Sequence, residues 1–162
     1  MKALLPADEV QRLARLRALA VLDSAPEPLF DSFARLAAQI AGTPIALVSL
    51  VDDQRQWFKA NLGLPGVQQT PRDVAFCAHA ILERDVTTVA DACADPRFAD
   101  NPLVTGEPGI RFYAGAPLVL PSGERLGTLC VIDRVPRQFG EDQKRQLAEL
   151  AQAVVQALLL RE

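Results

Sequence analysis

IRFYAGAPLVLPSGERLGTLCVID, residues Ile110 to Asp133, carries two apolar runs, Phe112 to Leu120 and Leu126 to Ile132. Between them lies Pro121-Ser122-Gly123-Glu124-Arg125, the strongly polar interruption. This is the pattern of a β-hairpin. Gly123 can take φ > 0 without a Cβ clash, and Pro121 has no N–H to give to a ladder, so both suit the turn. The arms are apolar at nearly every position, which places them centrally in a sheet with both faces covered.

The totals bound what can lie on those faces. At 162 residues the chain fits one domain, 1–162, of a size that buries roughly 70% of its unfolded surface. It is 49% hydrophobic and 23% charged with a net charge of −3, so nucleic acid and acidic membranes are poor partners. The opening Met1-Lys2-Ala3-Leu4-Leu5 breaks at Pro6-Ala7-Asp8-Glu9, too short for a signal segment, and no apolar run approaches a membrane span. A cytoplasmic location is expected. Cys77, Cys93 and Cys130 are an odd number in a chain too large to need disulfides, and His79 is the single histidine. Free thiols are therefore expected, and neither a metal nor a cofactor.

Outward from the hairpin, Val10, Leu13, Leu16 and Leu19 recur at three- and four-residue spacing with Arg12, Arg15 and Arg17 elsewhere, predicting an amphipathic helix over Asp8–Leu22. Pro26 and Pro28 end it. Leu29, Phe30, Phe33, Leu36, Ala37 and Ile40 predict a second helix to Ala41, with Gly42 as its left-handed C-terminal residue. Ile45–Val51 reads as a buried strand. Gln56–Leu62 reads as a strand with Trp57 and Lys59 on one face and Phe58 and Ala60 on the other. Thr70-Pro71-Arg72-Asp73 has the form of a capping box and predicts a helix to about Glu83. Val86–Ala90 is a short strand, and Asp91–Pro102 an excursion over the sheet with at most one helical turn. From Glu141 to Arg161, Leu147, Leu150, Ala151, Val154, Val155, Leu158 and Leu159 make a wide apolar stripe that can meet both the sheet and a second subunit.

Several stretches together resemble a known family. Leu22-Asp23-Ser24-Ala25-Pro26-Glu27, Val51 to Lys59, Phe76-Cys77-Ala78-His79-Ala80-Ile81, Asp95 to Pro102 and Leu126 to Asp133 are similar to GAF domains, and in particular to those at the N-termini of bacterial sensor kinases and diguanylate cyclases. The resemblance implies an α+β fold. Its antiparallel sheet of five to six strands takes the order 2-1-5-4-3, with the N-terminal helices (1–41) and the C-terminal helix (141–162) on one face and a loop- and helix-covered pocket on the other. It also implies a bacterial sensory or regulatory module of signal transduction, non-catalytic, whose partners are an unidentified small molecule, a second copy joined through the terminal helices, and a signalling protein. On the segments expected to face the pocket, the ligand-binding candidates are Trp57, Phe76, Cys77, His79, Phe98, Tyr113 and Cys130. Tyr113, Ala114 and Gly115 would form its floor.

Bland roles compete with these: Trp57 and Phe98 as loop-covering core, Cys130 as a small hydrophobe in a central strand, His79 as a helix residue bonded to the loop Asp91–Asn101. Arg111 would clasp Asp91 or Asp95. The alternative function is that of a free methionine-R-sulfoxide reductase, also a GAF protein, which needs a nucleophilic thiolate and a resolving thiol. Its attacking cysteine lies just before the fourth strand, and Thr105–Ile110 contains none. The Cys77-Ala78-His79 run is only loosely similar to the bilin site of phytochromes, and the cyclic-nucleotide motif of other GAF domains lacks its Lys here.

Overall fold

The hairpin between Ile110 and Asp133 is present, and the other elements are arranged around it. The computed structural model describes residues 1–161. Their helices are α1 (Glu9–Ala18), α2 (Pro28–Ala41), α3 (Phe76–Ala80), α4 (Pro102–Thr105) and α5 (Glu141–Leu159); the strands are β1 (Ile45–Val51), β2 (Arg55–Leu62), β3 (Gln69–Pro71), β4 (Thr87–Val89), β5 (Phe112–Val119) and β6 (Arg125–Asp133). All strands join one antiparallel sheet in the order β3-β2-β1-β6-β5-β4. This is the expected order with one three-residue edge strand, β3, added beyond β2.

In the hairpin turn Gly123 has φ +103°. Its N–H donates to the Leu120 carbonyl at 2.8 Å, and Leu120 N–H donates to Glu124 O at 2.9 Å, closing the chain where Pro121 could not pair. Gly127 meets β1 so closely that a Cβ there would lie 1.9 Å from the Ser49 carbonyl oxygen. Glycine at this point lets β6 sit centrally.

One sheet face packs on α2 and α5. Val48, Leu50, Ala114, Ala116, Leu129 and Val131 point there and meet Phe30, Ala34, Ala37, Leu147, Val154 and Leu158. The other face carries Ile45, Leu47, Tyr113, Cys130 and Ile132 and is covered by α3 and the excursion through Phe98. Burial on both sides explains why the central strands read as continuous apolar runs.

Several expectations need correction. The first helix stops at Ala18, because Ala20 (φ 53°) and Asp23 (φ 63°) turn the chain and drive Val21 into the core. Its stripe is also rotated. Val10 is exposed, whereas Arg12 is fully buried, donating to Val51 O at 2.6 Å and to Glu9 at 2.8 Å. In α2, Leu29 and Leu36 are exposed, and Ala34, Ala38 and Ala41 are buried in their stead. Gly42 does take φ +70° at the end of α2, as its placement required.

The capping box does not form. Thr70 lies in β3, where its hydroxyl accepts from Gln56 Nε2 at 2.9 Å. Arg72 begins a 3-10 turn with its guanidinium drawn to Glu9 and to the Asp52 carbonyl. The helix starts only at Phe76 and is five residues long.

Strand β2 contains a bulge. Val48 faces Ala60 and the next residue, Ser49, faces Phe58, so Lys59 has no cross-strand partner on β1. The two-residue alternation is broken there, and Trp57 and Ala60 both face α2 and α5. Lys59 is buried, with Nζ bonded to Ser24 Oγ (2.8 Å), Ala25 O (2.6 Å) and the Glu27 carboxylate (2.6 Å). Glu27 also takes Arg161 Nε at 2.8 Å, so one carboxylate joins the sheet bulge, the start of α2 and the second residue beyond α5.

Candidate functional site

Beneath α3 the second sheet face holds a small polar centre in an apolar layer. Cys77, from the first turn of α3, places Sγ 2.9 Å from Thr128 Oγ1 and 4.0 Å from Cys130 Sγ, both on β6. Tyr113 of β5 donates its hydroxyl to the same sulfur at 3.2 Å. Ser49 of β1, opposite Thr128 in the ladder, donates to Gln56 Oε1 at 2.9 Å and extends the polar line toward Thr70. The two sulfurs are 1% and 0% exposed.

Aromatic packing seals this centre. The Phe76 ring stacks on Phe98 with centroids 4.0 Å apart and planes 7° from parallel, and Phe76 also meets Tyr113 at 5.3 Å. His79 contacts the Phe98 ring edge-on at 4.8 Å, and the Arg97 guanidinium lies 5.0 Å from its centroid. The excursion is held by its own polar groups. Asn101 accepts from Leu103 N–H at 2.9 Å to cap α4 and donates to Val74 O at 3.0 Å, tying the excursion to the start of α3.

Burial would push the Cys77 thiol up, but hydrogen bonds with Cys130, Thr128 and Tyr113 outweigh it and bring Cys77 down to about 7. Cys130 is held well above the usual thiol range by its bond to Cys77 and by burial. Burial, with Cys77 alongside, likewise pushes Tyr113 up. Of the two thiols, Cys77 is thus the one prepared to lose its proton.

Six of the seven candidates, Phe76, Cys77, His79, Phe98, Tyr113 and Cys130, fall on this face of the sheet. Trp57 lies on the opposite, helix-packed face because of the bulge. His79 bonds the Met1 carbonyl at 2.8 Å and not the loop expected. Arg111 donates to the carbonyls of Val104 (2.9 Å) and Ile110 (3.0 Å), while Asp91 caps Cys93 N–H and Asp95 pairs with Arg97, so the expected clasp is absent. The floor by Gly115 is occupied from within: a Cβ on Gly115 would sit 2.2 Å from the Tyr113 hydroxyl. Thr128 and Ser49 were not among the candidates. Their signal was available, since each is a hydroxyl residue inside a strand run otherwise made of apolar residues.

Two open concavities lie on the other side of the sheet. A groove of about 830 Å³ runs along α5 past Ala116 and Pro117, edged by Arg84, Lys144 and Arg145 together with Asp85 and Glu141. A second, of about 550 Å³, lies between α2 and α5 at Leu36, Ile40, Leu150 and Ala153.

An open antiparallel sheet with terminal helices on one face and a covering helix and loop on the other is the GAF architecture; the sequence matches the GAF domain family over residues 25–158, and the chain belongs to it. A cyclic di-GMP phosphodiesterase of Pseudomonas aeruginosa is 53% identical over 132 residues, which are 82% of this chain and 22% of that protein. Among solved structures, the GAF domain of a phosphoenolpyruvate-protein phosphotransferase from Coxiella burnetii superposes with a TM-score of 0.68 at 18% identity, covering 93% of this chain and 94% of its own. A type II free methionine-R-sulfoxide reductase from Thermoplasma acidophilum superposes at 0.66 with 12% identity, covering 80% and 89%. At these identities the structural likenesses establish the shared fold. No helix among the described residues is long and apolar enough to cross a membrane.

Proposed function

We propose that this chain is a non-catalytic regulatory GAF module of bacterial cyclic di-GMP signalling, acting in the cytoplasm on a second-messenger enzyme. The observation that carries this is the 53% identity to a segment of a cyclic di-GMP phosphodiesterase, a segment that makes up 22% of that protein. The burial of both sulfurs at 1% and 0% supports a regulatory role over thiol catalysis, which needs a nucleophile that substrate can reach. Signal reaches the output by a change in helix packing, and the Lys59–Glu27–Arg161 junction links the sheet to both terminal helices. Any small ligand must bind one packing better than the other to shift it.

The test is an exchange of segments. This chain replaces the matching segment of the Pseudomonas phosphodiesterase, and cyclic di-GMP hydrolysis is followed for the parent, the chimera and a form lacking the segment. Turnover that depends on the segment and is restored by the chimera supports the proposal. Turnover indifferent to the segment, or hydrolysis by this chain alone, overturns it. The module works as a homodimer through the α2–α5 groove, where Leu36 is 46% exposed and lies with Ile40 and Leu150; a concentration-independent monomer mass in light scattering would remove that part.

A further inference from the structure

We propose that Cys77 and Cys130 are a hydroperoxide-responsive pair that closes to an intramolecular disulfide, with Cys77 as the attacking sulfur. The pair comes from two separate elements, α3 and β6, and its sulfurs stand 4.0 Å apart with no side chain required to leave from between them. Closure to the roughly 2.05 Å of a disulfide needs an approach of about 2 Å. The short helix α3 can supply it, because it is five residues long and is preceded by a 3-10 turn and an extended Ala75.

The surroundings make the two thiols unequal. The Tyr113 hydroxyl donates to Cys77 Sγ at 3.2 Å, and Thr128 Oγ1 lies 2.9 Å from the same atom. Two hydroxyls converging on one sulfur stabilise its thiolate, as the lowering of Cys77 to about 7 reflects. Cys130 keeps its proton and remains ready to resolve. In the first step the Cys77 thiolate attacks one oxygen of hydrogen peroxide. The O–O bond breaks, Cys77 becomes the sulfenic acid, and hydroxide leaves. In the second, Cys130 sulfur displaces the sulfenic hydroxyl, which departs as water with the Cys130 proton, leaving Cys77–S–S–Cys130. A dithiol reductant returns two electrons and two protons and restores both thiols.

Access is by local opening of α3 and the excursion above it, which parts the Phe76–Phe98 stack and breaks hydrogen bonds such as Asn101 Nδ2 to Val74 O (3.0 Å) and Arg125 Nη1 to Ile81 O (3.1 Å). Hydrogen peroxide is small and uncharged, which suits it to a site that larger oxidants cannot enter. This chemistry belongs to the thiols themselves and does not depend on the output enzyme proposed above.

The test uses the full chain carrying Cys93→Ser, which removes the exposed thiol. The protein is treated with hydrogen peroxide while folded, unfolded in acid, alkylated and weighed intact. Loss of two hydrogens, loss of both alkylatable thiols, a Cys77–Cys130 crosslinked peptide and full reversal by dithiothreitol are expected. Adding Cys130→Ser should leave a sulfenic acid on Cys77 that a cyclic 1,3-dione traps; adding Cys77→Ser should leave Cys130 unlabelled. Circular dichroism melts identify which variants are folded, and the Cys93→Ser protein decides the matter if the double variants are not. Two thiols still alkylatable after peroxide, or sulfenylation of Cys130 in place of Cys77, would overturn the proposal.

Discussion

The Tyr113 ring lies over the Cα of Gly115, two residues along the same strand, in the space where a side chain on residue 115 would be. An added Cβ would meet the hydroxyl at 2.2 Å and Cζ at 2.7 Å. The smallest residue of β5 is thus the seat of its bulkiest side chain, and the phenol is thereby aimed at Cys77.

Gly115→Ala should therefore destabilise the protein by about 1–3 kcal/mol, the usual cost of overpacking a tight core. It should also displace the phenol from Cys77. Urea unfolding measures the first effect, and the ultraviolet absorbance of the tyrosine, the chain's only one, reports the second. Unchanged stability together with an unchanged spectrum would contradict the packing described.

Leu129→Ala, in central strand β6 at 0% exposure, should cost about 2–5 kcal/mol through lost burial and a residual cavity. A thermal midpoint near that of the wild type would contradict the placement.

Lys59 and Glu27 should respond unequally to substitution. Glu27→Ala leaves a fully buried ammonium with only Ser24 Oγ and Ala25 O as partners, and should cost about 1–3 kcal/mol. Lys59→Met removes the buried charge and keeps the stem packed near Phe30, while Glu27 retains Arg161 and water. Its cost should be the smaller of the two. Paired urea titrations check the ranking, and equal losses would contradict it.

His79 sets a pH dependence. Burial lowers its pKa from the ordinary 6.5, opposed by the bond to Met1 O; the Arg97 guanidinium and the chain's amino terminus lower it further, and Asp95 raises it. The unfolded chain thus takes up this proton at a higher pH than the folded one. The stabilisation is full above the unfolded value and is lost as pH falls through the folded one. Stability should decline as pH falls below the ordinary 6.5 and through the lowered folded value, and His79→Gln should flatten that decline. Chemical denaturation across this range measures it.

Much of the fold was legible because both faces of the sheet are covered: Ile45–Val51 and the hairpin arms carry no competing periodicity. The failures have local causes. Thr70 offers the same residue pattern whether its hydroxyl caps a helix or accepts from Gln56, and only the tertiary partner decides between them. Trp57 changed sides because one bulge residue at Lys59 reverses the alternation, and a bulge leaves no mark in composition. Arg12 was placed off the apolar stripe, yet it is buried, and Glu9 and the Val51 carbonyl make its guanidinium tolerable there. The convergence of Phe76, Cys77, Phe98, Tyr113 and Cys130 was legible from the segments they occupy. That their own packing, and not open space, would fill the site depends on side-chain directions that Gly115 alone hinted at.

The sheet ends on both sides in three-residue strands, β3 and β4, and Pro71 removes one N–H from the β3 margin. Such short margins offer little for a foreign strand to zip onto. A module of this kind can sit in a crowded polypeptide beside other sheet domains without recruiting them edge to edge, which leaves contact with its neighbours to side chains on its helices and loops.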